Sequence, residues 1–209
     1  MIGLIDYGMG NLHSVAKALE KVGGQVELVQ HAEDIKKYER IVLPGVGAFR
    51  DCMHTLNETG LADAIKETVS KGTPFLGICL GMQVLLTRSY EFGVHAGLGL
   101  IDGEVKAFPE SHVERGFKIP HMGWNDVILP GQNRHEVIKE MKGEQVYYVH
   151  SYYCAPRDST HLLAACSYGD FPFASVVGKD NILGVQFHPE KSQHAGLKLL
   201  ENFVAWNPK

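Results

Sequence analysis

A single cysteine stands between two glycines where two apolar runs meet. Residues 74–78 precede Cys79 and residues 82–86 follow it, with Gly77 and Gly81 two positions to either side. The pattern predicts a strand, a sharp turn and a helix, because glycine tolerates a tight turn in which a β-carbon would clash. The thiol would stand at the start of that helix, where unpaired N–H groups favour the thiolate form. Cys79 is therefore a candidate nucleophile, the cysteine counterpart of a serine nucleophile elbow.

A base and a carboxylate follow far downstream, at His188 and Glu190. Residues two apart in an extended chain project to the same side, and Pro189 restricts His188 to extended conformations. Glu190 is then expected to accept a hydrogen bond from one ring nitrogen while the other nitrogen faces Cys79. The three residues predict a Cys-His-Glu triad, in which the carboxylate fixes the imidazole tautomer. The alternatives are an inert packing cysteine and a simple His-Pro-Glu turn.

Two glycines also flank Val46, in the segment Gly45-Val46-Gly47. The missing side chains leave backbone N–H groups free to approach a ligand. We expect one half of an oxyanion hole here and the other half at the N–H of Leu80, directly after the nucleophile. A strand-to-helix turn that needs a positive φ would explain the same glycines, and the two interpretations are compatible.

The composition is that of an ordinary globular protein. The 209 residues suffice for one large domain with a buried core, and 44% hydrophobic with 21% charged residues is typical of soluble chains. A formal net charge of −4 argues against a nucleic-acid partner. No apolar stretch is long enough to suggest a membrane span, and the first residues resemble a strand rather than a signal peptide.

The four cysteines favour a reducing, cytoplasmic location. None forms a Cys-x-x-Cys pair and no His/Cys cluster has zinc spacing, so we expect no metal. A chain of this length has no need of disulfides for its core. Cys52, Cys154 and Cys166 are expected to be small packing residues.

The first half of the chain alternates strands with helices, which predicts a parallel sheet with right-handed crossovers. Strands are expected at 2–5, 25–29, 40–43 and 73–78, and helices at 12–22, with Asn11 as cap and Gly23-Gly24 as stop, and at 61–70. Sites in such sheets gather at the carboxyl ends of strands. Both the Gly45–Gly47 segment and Cys79 follow such ends.

The second half reads as short strands between turns, some of which are expected to pair antiparallel at one edge of the main sheet. They are predicted at 103–108, 125–129, 145–150, 162–167, 173–178 and 182–187. An amphipathic helix is predicted at 192–206, with Leu197, Leu200, Phe203 and Val204 on one face. No repeat or linker is visible. The expected fold is a single α/β domain over 1–209, with a mostly parallel central sheet, helices on both faces and an antiparallel extension.

These segments resemble the class I (triad-type) glutamine amidotransferases. Within that class the chain is similar to the family of glutaminase subunits of imidazole glycerol phosphate synthase. The similarity is carried by residues 5–12, 43–49, 77–83, 120–125, 147–152 and 186–192, and no triad position departs from the pattern. The resemblance implies a flavodoxin-like fold and hydrolysis of L-glutamine to glutamate and ammonia without a cofactor. Residues 129–143 are the least diagnostic.

The resemblance also implies a heterodimer with a cyclase subunit, a (β/α)₈ barrel that uses the ammonia to make imidazole glycerol phosphate and aminoimidazole carboxamide ribonucleotide in histidine biosynthesis. Ammonia is mostly protonated in neutral water, so a productive transfer keeps it inside the protein. The chain contains no phosphate-binding motif, and the acceptor site must therefore lie on another subunit.

The resemblance assigns further residues to the glutamine pocket and to the partner-facing wall. The pocket residues are Gly45, Gly47, Gln83, His150, Ser151 and Tyr152; the partner-facing residues, chosen because they flank the catalytic segments, are Asn11, Met122, Trp124 and Lys191. A central strand with aromatic packing would also explain residues 147–153. Trp124 could equally be a core residue and Lys191 a solvated one.

Three other functions fit parts of the pattern. One is the glutaminase subunit of another ammonia-channelling enzyme, such as pyridoxal phosphate synthase, although residues 6–12 and 121–124 argue against it. Another is a stand-alone cysteine hydrolase of γ-glutamyl peptides, which would need no partner. The third is a non-catalytic binding module on the same fold, which the loss of a triad residue would mark.

Overall fold

The computed structural model describes residues 1–131 and 135–208. Its strands are β1 (Ile2–Ile5), β2 (Val26–Val29), β3 (Arg40–Gly45), β4 (Phe75–Cys79), β5 (Leu86–Ser89), β6 (His95–Ala96), β7 (Ile101–Ala107), β8 (His121–Asp126), β9 (Gln145–His150), β10 (Tyr152–Pro156), β11 (Leu162–Tyr168), β12 (Phe171–Lys179) and β13 (Ile182–Val185). Its α-helices are α1 (Leu12–Lys21), α2 (Phe49–Glu58), α3 (Leu61–Ser70), α4 (Leu80–Gln83), α5 (Glu110–Glu114) and α6 (Gln193–Ala205).

A seven-stranded sheet in the order β11-β12-β13-β4-β3-β1-β2 forms the centre of the fold. The five strands from β13 to β2 run parallel, whereas β12 is antiparallel to both of its neighbours. This arrangement confirms the predicted α/β fold with a mostly parallel sheet and an antiparallel extension.

Helices cover both faces because successive side chains of the buried strands alternate between two apolar clusters. Leu4 of β1 and Leu76 of β4 pack with α1 and α6, while Ile5 and Phe75 pack with α2 and α3 on the opposite face. The central strands are therefore buried on both sides and leave their carboxyl ends as the place for a site.

Some strands of the second half pair antiparallel at one edge of the main sheet, as predicted, and the others form separate sheets. β11, β12 and β13 belong to the main sheet; β10, β7, β5 and β6 form a separate four-stranded sheet, and β8 pairs with β9 in an antiparallel hairpin. The strand predicted at 125–129 begins four residues earlier, at His121. A central strand over 147–153 is also wrong, because β9 ends at His150 and β10 belongs to another sheet.

Several helix predictions also need correction. The helix after Cys79 is a single turn, α4, because the apolar run that follows enters β5. Helix α2 was not predicted at all. Asn11 precedes α1, but its side chain makes no capping hydrogen bond. On α6 the buried face contains Leu199, whereas Leu197 and Val204 are only half-buried.

Among the described residues, every helix is too short or too polar to cross a lipid bilayer.

Candidate active site

The ends of β3 and β4 lie side by side and bring the two glycine-flanked segments together. The parallel register pairs Gly45 with Cys79, which has the strained backbone angles φ 55° and ψ −108°. A β-carbon on Gly81 would lie 1.9 Å from the Leu43 carbonyl oxygen, and one on Gly77 would lie 2.3 Å from the Gly81 oxygen. Both contacts are impossible for a real side chain, which confirms why glycines flank the thiol.

His188 and Glu190 form a buried pair beside this turn. His188 Nδ1 lies 2.8 Å from Glu190 Oε1, and the two side chains are 3% and 1% exposed. The chain bends at residues 186 and 187 after β13 ends, His188 has extended backbone angles, and a 3₁₀ turn follows over Pro189–Lys191. The pairing of His188 with Glu190 therefore arises from the turn rather than from a continuing strand. Ser192 Oγ donates to the His188 carbonyl at 2.6 Å and accepts from the Tyr147 N–H at 3.0 Å, which anchors the turn to β9.

The electrostatics of the pair favour an imidazolium. Burial opposes the charge, but the neighbouring Cys79 sulfur and the Glu190 carboxylate outweigh it and raise the pKa of His188 to about 10. The buried Nε2 atom of His188 makes no hydrogen bond of good geometry within the described chain. The Cys79 sulfur therefore stabilises the charged ring electrostatically, without the geometry of an aligned hydrogen bond to Nε2.

A pocket of about 380 Å³ opens over Cys79. Its walls contain Val46, Gly47, Cys79, Leu80, Gln83, Glu91, Pro120, Val149, His150, Ser151, Tyr152 and His188. Most of the residues that the sequence assigned to the pocket are thus brought together. Gly45 lies outside the lining, and a β-carbon on it would lie 2.8 Å from the Leu80 β-carbon, so its role is to let β3 approach the nucleophile turn.

Two of the predicted pocket residues, Gln83 and His150, form hydrogen bonds within the protein that limit what they can offer a ligand. Gln83 Nε2 lies 3.1 Å from the Tyr152 carbonyl and 3.2 Å from Gln186 Oε1, so Gln83 can offer only its oxygen to a ligand. His150 Nδ1 lies 2.8 Å from the same carbonyl, and its Nε2 lies 2.9 Å from His121 Nδ1. His150 therefore supports the pocket wall and has no free nitrogen for a ligand.

Glu91 is a pocket residue that the sequence reasoning missed. Its Oε2 accepts a hydrogen bond from the Phe49 N–H at 2.6 Å, at the start of α2. Burial and the nearby Glu91 carboxylate raise the pKa of Tyr152. No motif marks Glu91 in the sequence, because the loop after β5 brings it to the pocket.

Gln186 was also missed, although it belongs to the same segment as His188. Its Nε2 lies 3.8 Å from the Cys79 sulfur, and the sulfur itself lies 3.9 Å from the Val149 carbonyl oxygen. The extended conformation that the sequence predicts for residues 186–190 would have placed Gln186 on the same side as His188.

The residues predicted to face a partner are exposed, except Asn11, which is half-buried. Met122 and Trp124 are 61% and 45% exposed on β8, so Trp124 is not a core residue. Trp124 packs edge-on against Tyr147 at 6.1 Å, and the exposed Lys191 ammonium lies 5.9 Å from the same ring. Asn11 is half-buried before α1.

Comparison with known families places the whole described site within one matched region. The sequence model of the family "Glutamine amidotransferase class-I" matches residues 3–206. The imidazole glycerol phosphate synthase subunit HisH of Geobacter sulfurreducens is 49% identical over 205 residues, which cover 97% of this chain and 97% of that protein. The HisH subunit of Geobacillus kaustophilus is 48% identical over 205 residues, with 98% and 96% covered.

Solved structures support the fold at much lower identity. A crystal structure described as a glutamine amidotransferase superimposes with a TM-score of 0.74 at 17% identity, covering 98% of this chain and 99% of that one. The structure of PurLQS from Thermotoga maritima gives a TM-score of 0.75 at 18% identity, covering 98% and 97%.

Proposed function

Because the chain belongs to the class-I glutamine amidotransferases and, within them, to the HisH subunits of imidazole glycerol phosphate synthase, we propose that Cys79, His188 and Glu190 hydrolyse L-glutamine and supply its ammonia to the synthase. The observation that carries the proposal is the strained Cys79 turn beside the buried His188–Glu190 pair. Backbone strain at such a turn is typical of functional sites.

The first half of the reaction is acyl transfer to sulfur. The Cys79 thiolate attacks the γ-carboxamide carbon of glutamine, and the carbonyl oxygen becomes an oxyanion. Backbone N–H groups of Leu80 and Val46 are the proposed donors to that oxyanion. Collapse of the tetrahedral intermediate breaks the C–N bond, and His188, protonated at rest because its pKa is raised, donates the proton that releases ammonia.

The second half is hydrolysis of the thioester. The now neutral His188 removes a proton from a water molecule, whose oxygen attacks the acyl carbon. Glutamate leaves, and the proton on His188 again balances the thiolate. Glu190 holds Nδ1 throughout and thereby keeps Nε2 turned to the reacting atoms.

Substrate recognition follows from the pocket charges. Glutamine brings an α-ammonium, and Glu91 is the carboxylate in the lining that can pair with it. Gln83 Oε1 is a second acceptor, since both hydrogens of its amide are used inside the protein. Ser151 and Tyr152 also line the pocket and are proposed to contact the remaining polar groups of the substrate.

The matched HisH proteins are subunits of a synthase, so a partner subunit is implied. We propose that it is the cyclase, a (β/α)₈ barrel, and that it docks on the face formed by Met122, Trp124 and Lys191 together with Asn11. The buried, free state of all four cysteines fits a reducing cytoplasm.

The test is glutamate release by the full chain, measured alone and with the co-purified cyclase and its acceptor ligand. Cys79→Ala is expected to lower turnover on the order of 10⁴-fold or more. Cys166→Ala, which changes another buried cysteine, is the matched control and is expected to retain activity. Equal activity in Cys79→Ala and the parent would overturn the proposal.

The same assay separates the remaining alternative. A stand-alone γ-glutamyl hydrolase would release glutamate equally well without the cyclase. A subunit that feeds a synthase is expected to deliver ammonia to the acceptor, so that imidazole glycerol phosphate forms from glutamine only when both subunits are present. Glutamine-dependent product without Cys79 would contradict the proposed triad.

A further inference from the structure

We propose that Gln186 is a further catalytic residue, whose side-chain amide donates a hydrogen bond to the Cys79 sulfur and stabilises the thiolate. The inference rests on the proposed function of Cys79. The proposed donor is Gln186 Nε2, two residues before His188 in the chain.

The sheet itself places the two residues together. In the parallel pairing of β13 with β4, Val185 is opposite Ile78, so that Gln186 directly follows β13 where Cys79 ends β4. Gln186 is fully buried, and its backbone N–H donates to the Ser175 carbonyl at 2.9 Å. Its Nε2 lies 3.8 Å from the sulfur, a distance at which a thiolate attracts an N–H donor.

The orientation of the Gln186 amide follows from its neighbours. The Tyr152 carbonyl can only accept, so Gln83 must present its NH₂ group there. The second hydrogen of that NH₂ group is donated to Gln186. Gln186 therefore accepts with Oε1, which lies 3.2 Å from Gln83 Nε2. Gln186 is left with its own NH₂ turned to the sulfur of Cys79.

The Tyr152 carbonyl is itself held in place from the other side. His150 Nδ1 lies 2.8 Å from it and must donate, so His150 Nε2 is an acceptor and His121 Nδ1 donates to it. Asn125 Nδ2 lies 3.3 Å from His121 Nε2 and completes the chain. Burial lowers the pKa of His121 to about 4 and of His150 to about 3, in keeping with two neutral rings.

The chemical consequence concerns the balance between thiol and thiolate. A thiol can donate to the Val149 carbonyl, 3.9 Å from the sulfur, whereas a thiolate can only accept. A hydrogen bond to the charged form favours that form. Removing the Gln186 donor should therefore shift Cys79 toward the thiol and lower the fraction of active nucleophile.

The experiment measures alkylation of Cys79 by iodoacetamide in the full chain, without glutamine, from mildly acidic to alkaline pH, with the modified peptide identified by mass spectrometry. In Gln186→Met, which lacks the donor, the midpoint of the rate profile is expected to move upward by about one to two pH units. Glutamate turnover near neutral pH is expected to fall about 10- to 100-fold, mostly in kcat rather than KM.

Gln186→Asn is the second variant, since it keeps a neutral amide but withdraws it from the sulfur by one methylene. Ser175→Ala is the matched control, because it removes a buried hydrogen bond to Tyr148 one strand away without touching the sulfur. An unshifted alkylation profile in both Gln186 variants, or an equal shift in Ser175→Ala, overturns the inference. The parent's glutamate release tests the proposed function separately, since alkylation requires no glutaminase activity.

Discussion

At the scale of single residues, the position of Cys79, the proposed nucleophile, depends on backbone contacts that only glycine permits. Cys79 keeps φ at 55° because the chain on both sides of it is packed against other backbone atoms. A strained non-glycine residue persists only where its surroundings over-determine it. Gly77 and Gly81 therefore act through the position of the sulfur, although neither contributes an atom to the chemistry.

Gly81→Ala tests this argument. The added β-carbon would lie 1.9 Å from the Leu43 carbonyl oxygen, so α4 must move away from β3. We expect a loss of about 3 kcal/mol or more in the free energy of unfolding, measured by chemical denaturation. We also expect at least about a 100-fold loss of glutamate turnover, because a displacement of about 1 Å at a catalytic group has that effect.

Gly99→Ala is the control for this prediction. Gly99 has a positive φ, at 67°, which Gly81 does not have, and no atom lies within 4 Å of an added β-carbon on Gly99. The substitution is expected to cost about 1 kcal/mol through backbone strain and to leave turnover near that of the parent. Similar losses of turnover in both variants would show that the loss in Gly81→Ala does not depend on the close approach to the Leu43 carbonyl.

At the scale of elements, the β8–β9 hairpin holds the pocket wall through two neutral histidines. Burial, helped by the charge of His112, lowers the pKa of His121 to about 4; burial also lowers the pKa of His150 to about 3. The ordinary histidine pKa is about 6.5. Between these values the unfolded chain binds protons that the folded chain does not.

The free energy of unfolding of the protein is therefore expected to decrease as pH falls from about 6.5 toward 4. Each of the two histidines contributes a slope of up to about 1.4 kcal/mol per pH unit to the free energy of unfolding. Chemical denaturation over this range measures the slope. His121→Asn keeps a donor for His150 but cannot titrate. It is expected to lower the slope of the free energy of unfolding against pH by up to about 1.4 kcal/mol per pH unit.

His54→Asn provides the matched comparison, because His54 is exposed on α2. It is expected to retain the parent's acid slope, which includes the contribution of the carboxylates. If His121→Asn and His54→Asn show the same slope as the parent, the histidine pair is not held neutral by the fold, and the tautomer chain through His150 fails with it.

The elements differ in how well the sequence predicts them, and the difference has a physical cause. β1, β3 and β4 are apolar runs buried on both faces, and α3 has strong helical periodicity, so each is predicted within two residues of its bounds. β8 and β10 are half-buried and rich in polar and aromatic residues. Their partner strands are chosen by tertiary packing, which a local pattern does not encode.

The site shows the same division. Cys79 and His188 are predictable because cysteine and histidine are rare residues. Glycines two positions to either side mark Cys79, and the proline that follows marks His188. Gln186 and Glu91 are common residues whose importance comes from contacts across the chain: one lies beside the sulfur through the β13–β4 register, and the other is held by the N–H of Phe49. Such contacts become visible only when the strands are paired.

At the scale of the whole molecule, the outer face of the β8–β9 hairpin is exposed while its inner face carries the histidine chain. Alternation along β8 directs Met122 and Trp124 outward and His121 inward. Trp124 and Tyr147 form an aromatic pair beside the Lys191 ammonium. A large exposed tryptophan in such surroundings is typical of a binding hot spot.

Trp124→Asp is expected to weaken association with the proposed cyclase partner by about 30-fold or more, since truncating a hot-spot residue costs about 2 kcal/mol or more. Titration calorimetry with the purified cyclase measures the effect. Because Trp124 is 45% exposed, the free energy of unfolding of the isolated chain should change by only about 0.5 kcal/mol. Leu28→Asp is the control, because Leu28 is 51% exposed on β2, at one edge of the main sheet. The opposite edge is β11, and a bridge between Ile128 and Ala165 joins β11 to the segment that follows β8. Unchanged affinity in Trp124→Asp, or an equal loss in Leu28→Asp, would place the docking surface elsewhere.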